Sequence, residues 1–306
     1  MNKLIVLTGP TAVGKTELSI ALAHHLNGSI ISADSMQVYR YMDIGTAKIM
    51  PEEMDGIKHY LVDALEPDEE FNVVRFQKMA KQAMNEIYQQ GKIPIVVGGT
   101  GFYIQALLND INFEETKESA SFRTELEQYA KDFGAEALHA KLREVDEVSA
   151  NLIHPNNIKR VIRALEFYKE TGQPISQHNE EEKKRKSPYD FRYFVLTNDR
   201  QVLYDRIEHR IDLMVSNGLI QEVQFLKEKG YTRDLVSMQG LGYKEILAYL
   251  DGECTLEEAI YILKRDTRHF AKRQLTWFRR EENVIWLDKQ EYPDTDSLLN
   301  RIKEFL

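Results

Sequence analysis

The chain has one cysteine, Cys254, among 306 residues. One thiol excludes an internal disulfide and any zinc site built from several cysteines. This suits a reducing cytoplasm, and Cys254 itself reads as a small, half-buried residue without a role. No apolar run approaches the roughly 20 residues that span a bilayer. The run after Lys3 is too short for a signal peptide and leads directly into a glycine loop. Positive charge is in deficit, with 40 Lys and Arg against 49 Asp and Glu, a net charge of −9. That argues only weakly against a polyanionic partner, because charge distribution outweighs the total. Lys264, Arg265, Arg268, Lys272, Arg273, Arg279 and Arg280 crowd one expected helix, opposed there mainly by Asp266. No internal repeat is present. With 42% hydrophobic and 29% charged residues, the composition is that of an ordinary soluble globular protein.

The strongest motif is Gly9-Pro10-Thr11-Ala12-Val13-Gly14-Lys15-Thr16. It fits G-x-x-x-x-G-K-[ST], a loop that cradles phosphates. Leu4–Leu7 before it suits a buried parallel strand. Glu17–Leu26 after it predicts a helix with Leu18, Ala21, Leu22 and Leu26 on one face. Strand, loop and helix in this order aim backbone N–H groups and a helix dipole at an anion. Lys15 adds a mobile charge, and the Thr16 hydroxyl can hold Mg²⁺. The loop alone does not say which phosphate compound binds.

Strands and helices alternate through the first third. Gly28–Ala33 predicts a second strand ending at Asp34, Phe71–Gln90 a long helix, and Ile93–Val97 a third strand ending in Gly98-Gly99-Thr100-Gly101. This alternation implies an α/β fold, a parallel sheet flanked by helices. Ligands in such sheets gather at the carboxyl ends of the strands, so the three loops should face one crevice. From 113 to 187 the text turns helical and polar, which predicts an inserted all-helical domain. It closes on the charge run Glu180–Lys186, read as a solvated linker. Residues 1–112 and 188–306 then form the core. Tyr193–Leu196 returns to the sheet, and helices follow over 203–217, 220–229, 243–250 and 256–280. Val284–Leu287 is a late strand, and Thr295–Phe305 a closing helix.

Asp34 follows a buried strand and faces the phosphate loop. It could ligate Mg²⁺, orient a substrate amine or hydroxyl, accept a proton, or simply cap a helix. Ser35 and Gln37 add groups suited to reading a base edge. The third strand ends without the acid that a phosphate-loop ATPase commonly places there. Arg206 and Arg210, at i and i+4, can chelate phosphate oxygens or pair with Asp205, Glu208 and Asp212; His209 is incidental. Asn157, Lys159, Arg160 and Arg163 share a helix with the apolar Val161, Leu165 and Tyr168. The 264–280 helix interleaves its charges with His269, Phe270, Trp277 and Phe278, which suits RNA. Core packing is the simpler role for Phe270 and Trp277. Gly240–Glu245 is a glycine-hinged loop that could admit a backbone or be a plain turn.

Together these segments resemble the bacterial tRNA dimethylallyltransferase (tRNA isopentenyltransferase) family. The matching text is Gly9–Thr16, Ile31–Tyr39 continuing to Asp43–Lys48, Val97–Gly101, Asn157–Glu166, Arg206 to Val223, Gly240–Glu245 and Arg268–Phe278. It covers nearly the whole chain in order. The resemblance implies a P-loop NTPase-like core and transfer of a dimethylallyl group from its diphosphate to N6 of the adenosine just 3′ of the tRNA anticodon. The phosphate loop would then hold the prenyl diphosphate, with Mg²⁺ on Thr16 and with Arg206 and Arg210 beside it. Asp34 would orient N6 and take its proton, and Thr100 would contact the reacting region. The anticodon stem-loop would meet Asp34, Ser35, Met36, Gln37, Thr100, Gly101, Arg123, Ile158, Lys159, Arg160, Val161, Ile162, Gly240, Leu241, Gly242, Tyr243, Lys244, Glu245, Lys272 and Arg273. No membrane and no obligate protein partner is implied, and a cytoplasmic monomer is the expectation. The competing readings are a nucleotide or small-molecule kinase, a prenyltransferase of free adenine nucleotides, and a non-catalytic RNA-binding protein with a nucleotide switch.

Overall fold

A computed structural model describes residues 2–113, 120–183 and 185–306. Its strands are β1 (Asn2–Thr8), β2 (Gly28–Ser32), β3 (His59–Tyr60), β4 (Ile93–Gly98), β5 (Tyr189–Thr197) and β6 (Val284–Asp288). They form one parallel sheet in the order β3-β2-β4-β1-β5-β6. Leu7 at the centre pairs with Val97 on one side and Phe194 on the other. The aliphatic run Leu4–Leu7 is buried because helices cover both faces. Leu4 and Val6 enter one core and Ile5 and Leu7 the other, as the two-residue period of a strand requires.

Two elements differ from the sequence expectation. β3 is only two half-buried residues and leaves no apolar run to read. β5 starts at Tyr189, ahead of its apolar part, because its first four residues are only half-buried and include Asp190 and Arg192.

The helices are α1 (Lys15–Leu26), α2 (Val73–Gln89), α3 (Gly101–Leu108), α4 (Ala120–Phe133), α5 (Ala135–Val145), α6 (Glu147–Leu152), α7 (Ile158–Thr171), α8 (Ile175–Lys183), α9 (Arg200–Ser216), α10 (Leu219–Glu228), α11 (Tyr243–Leu250), α12 (Leu256–Phe278) and α13 (Thr295–Lys303). Their starts follow local chemistry. Asn72 caps α2 and Asp199 caps α9, each through its side-chain oxygen. Thr255 and Glu258 close a reciprocal capping box on α12. α1 differs: Gly14 precedes it at φ 97° and supplies no side-chain cap. The first amides of α1 therefore keep their donors for something else. None of the helices among the described residues is long and apolar enough to cross a membrane.

The chain divides into two compact units, Met1–Leu108 with Pro188–Leu306, and Asn109–Ser187. The second unit holds α4 to α8 around Leu126, Leu138, Leu142, Val161 and Leu165. The run Glu180–Lys186 is not simply a linker, because α8 continues through Lys183. Within the same unit, Glu182 accepts from the Asn112 amide and Arg185 donates to the Asp110 carbonyl.

Candidate active site

The phosphate loop joins β1 to α1 in a conformation that few residues allow. Gly9 has φ 147° and Gly14 φ 97°, and Ala12 between them is also left-handed at φ 62°. A side chain on Gly9 would begin 2.5 Å from the Leu196 carbonyl oxygen, so β5 packs against the bare backbone. The Lys15 ammonium lies over the loop and donates to the Gly9 and Pro10 carbonyls at 2.9 Å each. Burial lowers its pKa to about 8; Arg210 adds to the drop, and Asp34 opposes it. Thr16 follows on the exposed first turn of α1.

The three loops meet as the parallel sheet requires. β4 lies between β2 and β1. The Ala33 amide donates to the Val97 carbonyl at 2.7 Å, and the Thr100 amide to the Ala33 carbonyl at 3.2 Å. The Thr8 hydroxyl donates to the Gly98 carbonyl at 2.6 Å. A Cβ on Gly98 would stand 2.2 Å from the Ala33 carbonyl oxygen, so only glycine lets these backbones approach. Asp34 Oδ1 accepts from the amides of Met36 at 2.8 Å and Gln37 at 3.3 Å. That turn, rather than a helix cap, is its local structural role. Tyr103, buried on α3, is a further neighbour of Asp34; burial raises its pKa first, then the charges of Tyr39 and Asp34.

Arg206 and Arg210 take no part in an ion pair among the described residues. Their nearest expected partners are engaged elsewhere: Glu208 with Arg268, Asp212 with Lys264, and Asp205 with the Gln201 amide. Arg210 is half-buried, and burial followed by the charge of Arg206 weakens its hold on its proton. Lys15, Arg206 and Arg210 thus form a cluster short of negative charge beside unsatisfied helix amides.

Gln274 of α12 is central to the site and was not singled out by the sequence reading. Its side-chain oxygen accepts from the Thr11 amide at 2.9 Å, and its side-chain nitrogen donates to the Gly99 carbonyl at 2.9 Å. Gln274 shares the buried stripe of α12 with Ala271 and Phe278. A polar residue on an apolar stripe at i, i+3, i+7 was the available signal.

The same helix presents a basic groove. His269, Lys272, Arg273, Thr276, Trp277 and Arg280 line an open space of about 440 Å³. Trp277 packs against the core and meets Phe102 edge to face at 6.1 Å. Phe270 is outside the core, under the Arg273 guanidinium. The cluster is weaker than its composition suggests, because Lys264, Arg265 and Arg268 pair with Asp212, Asp266 and Glu208. Lys272, Arg273, Arg279 and Arg280 remain exposed.

Several residues expected at an RNA surface are engaged within the protein. Tyr243 is fully buried and donates to Glu222 at 2.7 Å. Glu222 also accepts the amides of Asp43, Ile44 and Gly45. Glu245 is buried and bonds the Gly242 amide, which is itself buried. Gly240, Leu241 and Lys244 stay partly accessible. The Gln37 side-chain nitrogen donates to the Thr46 and Ala47 carbonyls. Met36 packs on Gly240, where a Cβ would come within 2.3 Å of its methyl group. Lys48, also unanticipated, is buried beneath this loop between Asp43 and Asp63. In the helical unit, Val161 and Ile162 are core residues, while Lys159 and Arg160 are exposed. Arg123 forms a two-pronged pair with the buried Glu166 at 2.9 and 2.8 Å.

The sequence pattern of the IPP transferase family matches residues 37–281. The chain belongs to the IPP transferase family. A tRNA dimethylallyltransferase of Lachnoclostridium phytofermentans is 63% identical over all of this chain and 98% of its own length. One from Acetivibrio thermocellus is 53% identical over the same shares. The crystal structure of a tRNA isopentenylpyrophosphate transferase from Bacillus halodurans matches 100% of this chain and 95% of its own, at 48% identity and a TM-score of 0.76. A eukaryotic dimethylallyltransferase acting on tRNA matches 99% of this chain and 78% of its own, at 31% identity and a TM-score of 0.85. As an IPP transferase, the chain has the α/β parallel sheet of these neighbours. Its phosphate loop lies ahead of the matched span, so the family is recognised by the rest of the fold.

Proposed function

We infer that this IPP transferase moves a dimethylallyl group from dimethylallyl diphosphate to N6 of the adenosine 3′ to the anticodon of tRNA, releasing diphosphate. One observation carries the reading: Asp34 stands at the mouth of a cationic phosphate loop whose neighbouring strand β4 ends in glycines rather than an acid. A phosphate-loop ATPase commonly places an acid there for its metal, and its absence weakens that reading. A prenyl transfer needs a base facing a leaving diphosphate, and this geometry suits that task.

Adenine N6 is a poor nucleophile because its lone pair is delocalised into the ring. The allylic carbon of the donor tolerates developing positive charge. As the N6–carbon bond forms, the carbon–oxygen bond to diphosphate breaks, and the N6 proton passes to Asp34. Lys15, Arg206, Arg210 and the free amides of α1 meet the charge growing on the diphosphate. Thr100 borders the same space through its backbone tie to Ala33.

The residues suit Mg²⁺. Thr16 offers an exposed hydroxyl at the start of α1, and among the described residues no cluster of three His, Cys, Asp or Glu forms a protein cage. That donor set suits an ion that keeps waters and shares phosphate oxygens. When bound, Mg²⁺ would neutralise part of the diphosphate charge.

The target base must leave its stack to reach the loop. The basic groove supplies phosphate contacts through Lys272, Arg273 and Arg280 and a flat ring in Trp277. Ser35, Gly240, Leu241 and Lys244 add accessible surface in the sheet unit, whereas Gly101 is buried beneath the Trp277 ring. Lys159 and Arg160 provide one in the helical unit. The reaction belongs where tRNA is processed, in the cytoplasm.

The test uses labelled dimethylallyl diphosphate, Mg²⁺ and unmodified tRNA, followed by nucleoside analysis. Label should appear only as N6-prenyl adenosine and vanish when the anticodon-adjacent adenosine is replaced by guanosine. Label on that guanosine variant, or on free adenine nucleotides, would contradict the assignment.

A further inference from the structure

Lys289 is a fourth cation at the phosphate loop, contributed by a part of the chain that carries no phosphate-binding motif. It follows β6 directly, and its amide donates to the Thr197 carbonyl at 3.0 Å. β6 pairs with β5, and β5 lies against β1. This order brings the carboxyl end of β6 to the same edge of the sheet as the phosphate loop. Lys289 Nζ reaches 3.1 Å from the point where a side chain on Gly14 would begin, and Arg206 Nη2 reaches 3.5 Å from that point. The two cationic ends come from different elements and converge on the glycine that opens α1.

Like charges do not converge without cause. Lys289 is half-buried and makes no ion pair among the described residues. Burial first, and the charge of Arg206 second, lower its pKa; Glu17 opposes the drop. Glu17 offsets the pair only in part: its carboxylate is exposed, accepts the Thr295 hydroxyl at 2.5 Å and, among the described residues, forms no ion pair with either cation. Lys289 and Arg206 therefore flank uncapped amides with no anion between them. A phosphate group matches that gap in charge.

We propose that Lys289 binds the diphosphate directly, sharing with Arg206 a phosphate held against Gly14. The proposal rests on the reading of this loop as a diphosphate site. Lys289 would hold both the intact prenyl donor and the departing diphosphate, with the greater effect on the latter because its charge is higher.

Calorimetric titration of inorganic diphosphate with Mg²⁺ into the full chain tests the assignment, using the wild type, Lys289→Met and Lys289→Arg. Loss of one charge-assisted contact should weaken diphosphate binding about 10-fold in Lys289→Met. Lys289→Arg should stay within about threefold of wild type, because it keeps the charge. Thermal unfolding without ligand checks that each variant is folded. Lys289→Met binding within twofold of wild type would overturn the role of Lys289 and leave the diphosphate site standing. A wild type that binds no diphosphate would overturn the site itself.

Discussion

The Gln274 side-chain oxygen accepts a hydrogen bond from the Thr11 amide at 2.9 Å. The same side chain donates to the Gly99 carbonyl at 2.9 Å. One residue of the basic helix thus fixes the phosphate loop against the glycine loop of β4. In Gln274→Leu both backbone groups lose their partner, and each buried orphan costs about 1–3 kcal/mol. The variant should be less stable and should have a higher KM for the prenyl diphosphate. Gln274→Glu keeps the acceptor for Thr11 but cannot donate to Gly99 when ionised. Steady-state kinetics with chemical denaturation should rank wild type above Glu and Glu above Leu. Equal KM values in all three would remove Gln274 from the organisation of the loop.

Asp34 holds a turn and, in the proposed mechanism, takes the N6 proton; one substitution separates the two. Its Oδ1 holds the turn by accepting from Met36 and Gln37. Asp34→Asn keeps such an acceptor and removes the base, whereas Asp34→Ala removes both. Prenyl transfer should fall about 10²–10⁴-fold in Asp34→Asn, the usual contribution of general-base catalysis. Affinity for tRNA, measured by filter binding, should change little. Weakened tRNA binding with unchanged single-turnover transfer would contradict the assignment.

Lys15 gives diphosphate binding a pH dependence with a definite sign. Its pKa lies near 8 in the free protein, lowered chiefly by burial. Below pH 8 the ammonium is charged and binding is at full strength. Above pH 8 it must regain a proton before it can pair with the anion. Affinity should therefore decline above pH 8, and binding at pH 9 should take up a proton. Calorimetry in buffers of different ionisation enthalpy measures that uptake. Lys15→Met should reduce the proton linkage and retain weak binding through Arg206, Arg210 and Lys289.

Binding of tRNA should weaken steeply with salt despite the net charge of −9. The exposed cations of the groove are local, and Lys272→Ala with Arg273→Ala should flatten the slope of log affinity against log salt by about 2. An unchanged slope would take the groove out of the interface.

Gly98→Ala tests the meeting of the three loops. Its new methyl carbon would stand 2.2 Å from the Ala33 carbonyl oxygen, so β2 or β4 must shift. Overpacking of this kind costs about 1–3 kcal/mol. Because the displaced residue precedes Asp34, transfer should fall more than tRNA binding. Wild-type stability and rate would show that the approach is looser than 2.2 Å implies.

Much of this architecture could be read from the chain because it rests on local signals. Leu4–Leu7, Gly9–Thr16 and the uncapped start of α1 follow from apolar runs, glycines and one lysine. Asp34 was legible by its place after a buried strand. What escaped depends on partners distant in sequence. Gln274 lies 263 residues from Thr11, and Glu222 179 residues from Asp43. Lys289 matters only because β6 is placed beside β5. Burial also divides the residues expected at the RNA surface. A motif marks Tyr243, Glu245, Val161 and Ile162 as a group, and burial alone separates packing residues from accessible ones such as Lys244 and Arg160.

Product stoichiometry tests the central claim most directly, by counting inorganic diphosphate released per prenylated adenosine under single-turnover conditions with unmodified tRNA. The account predicts one diphosphate per modified adenosine and none when tRNA is withheld. Turnover of ATP in place of the prenyl donor, or diphosphate release without RNA, would contradict it.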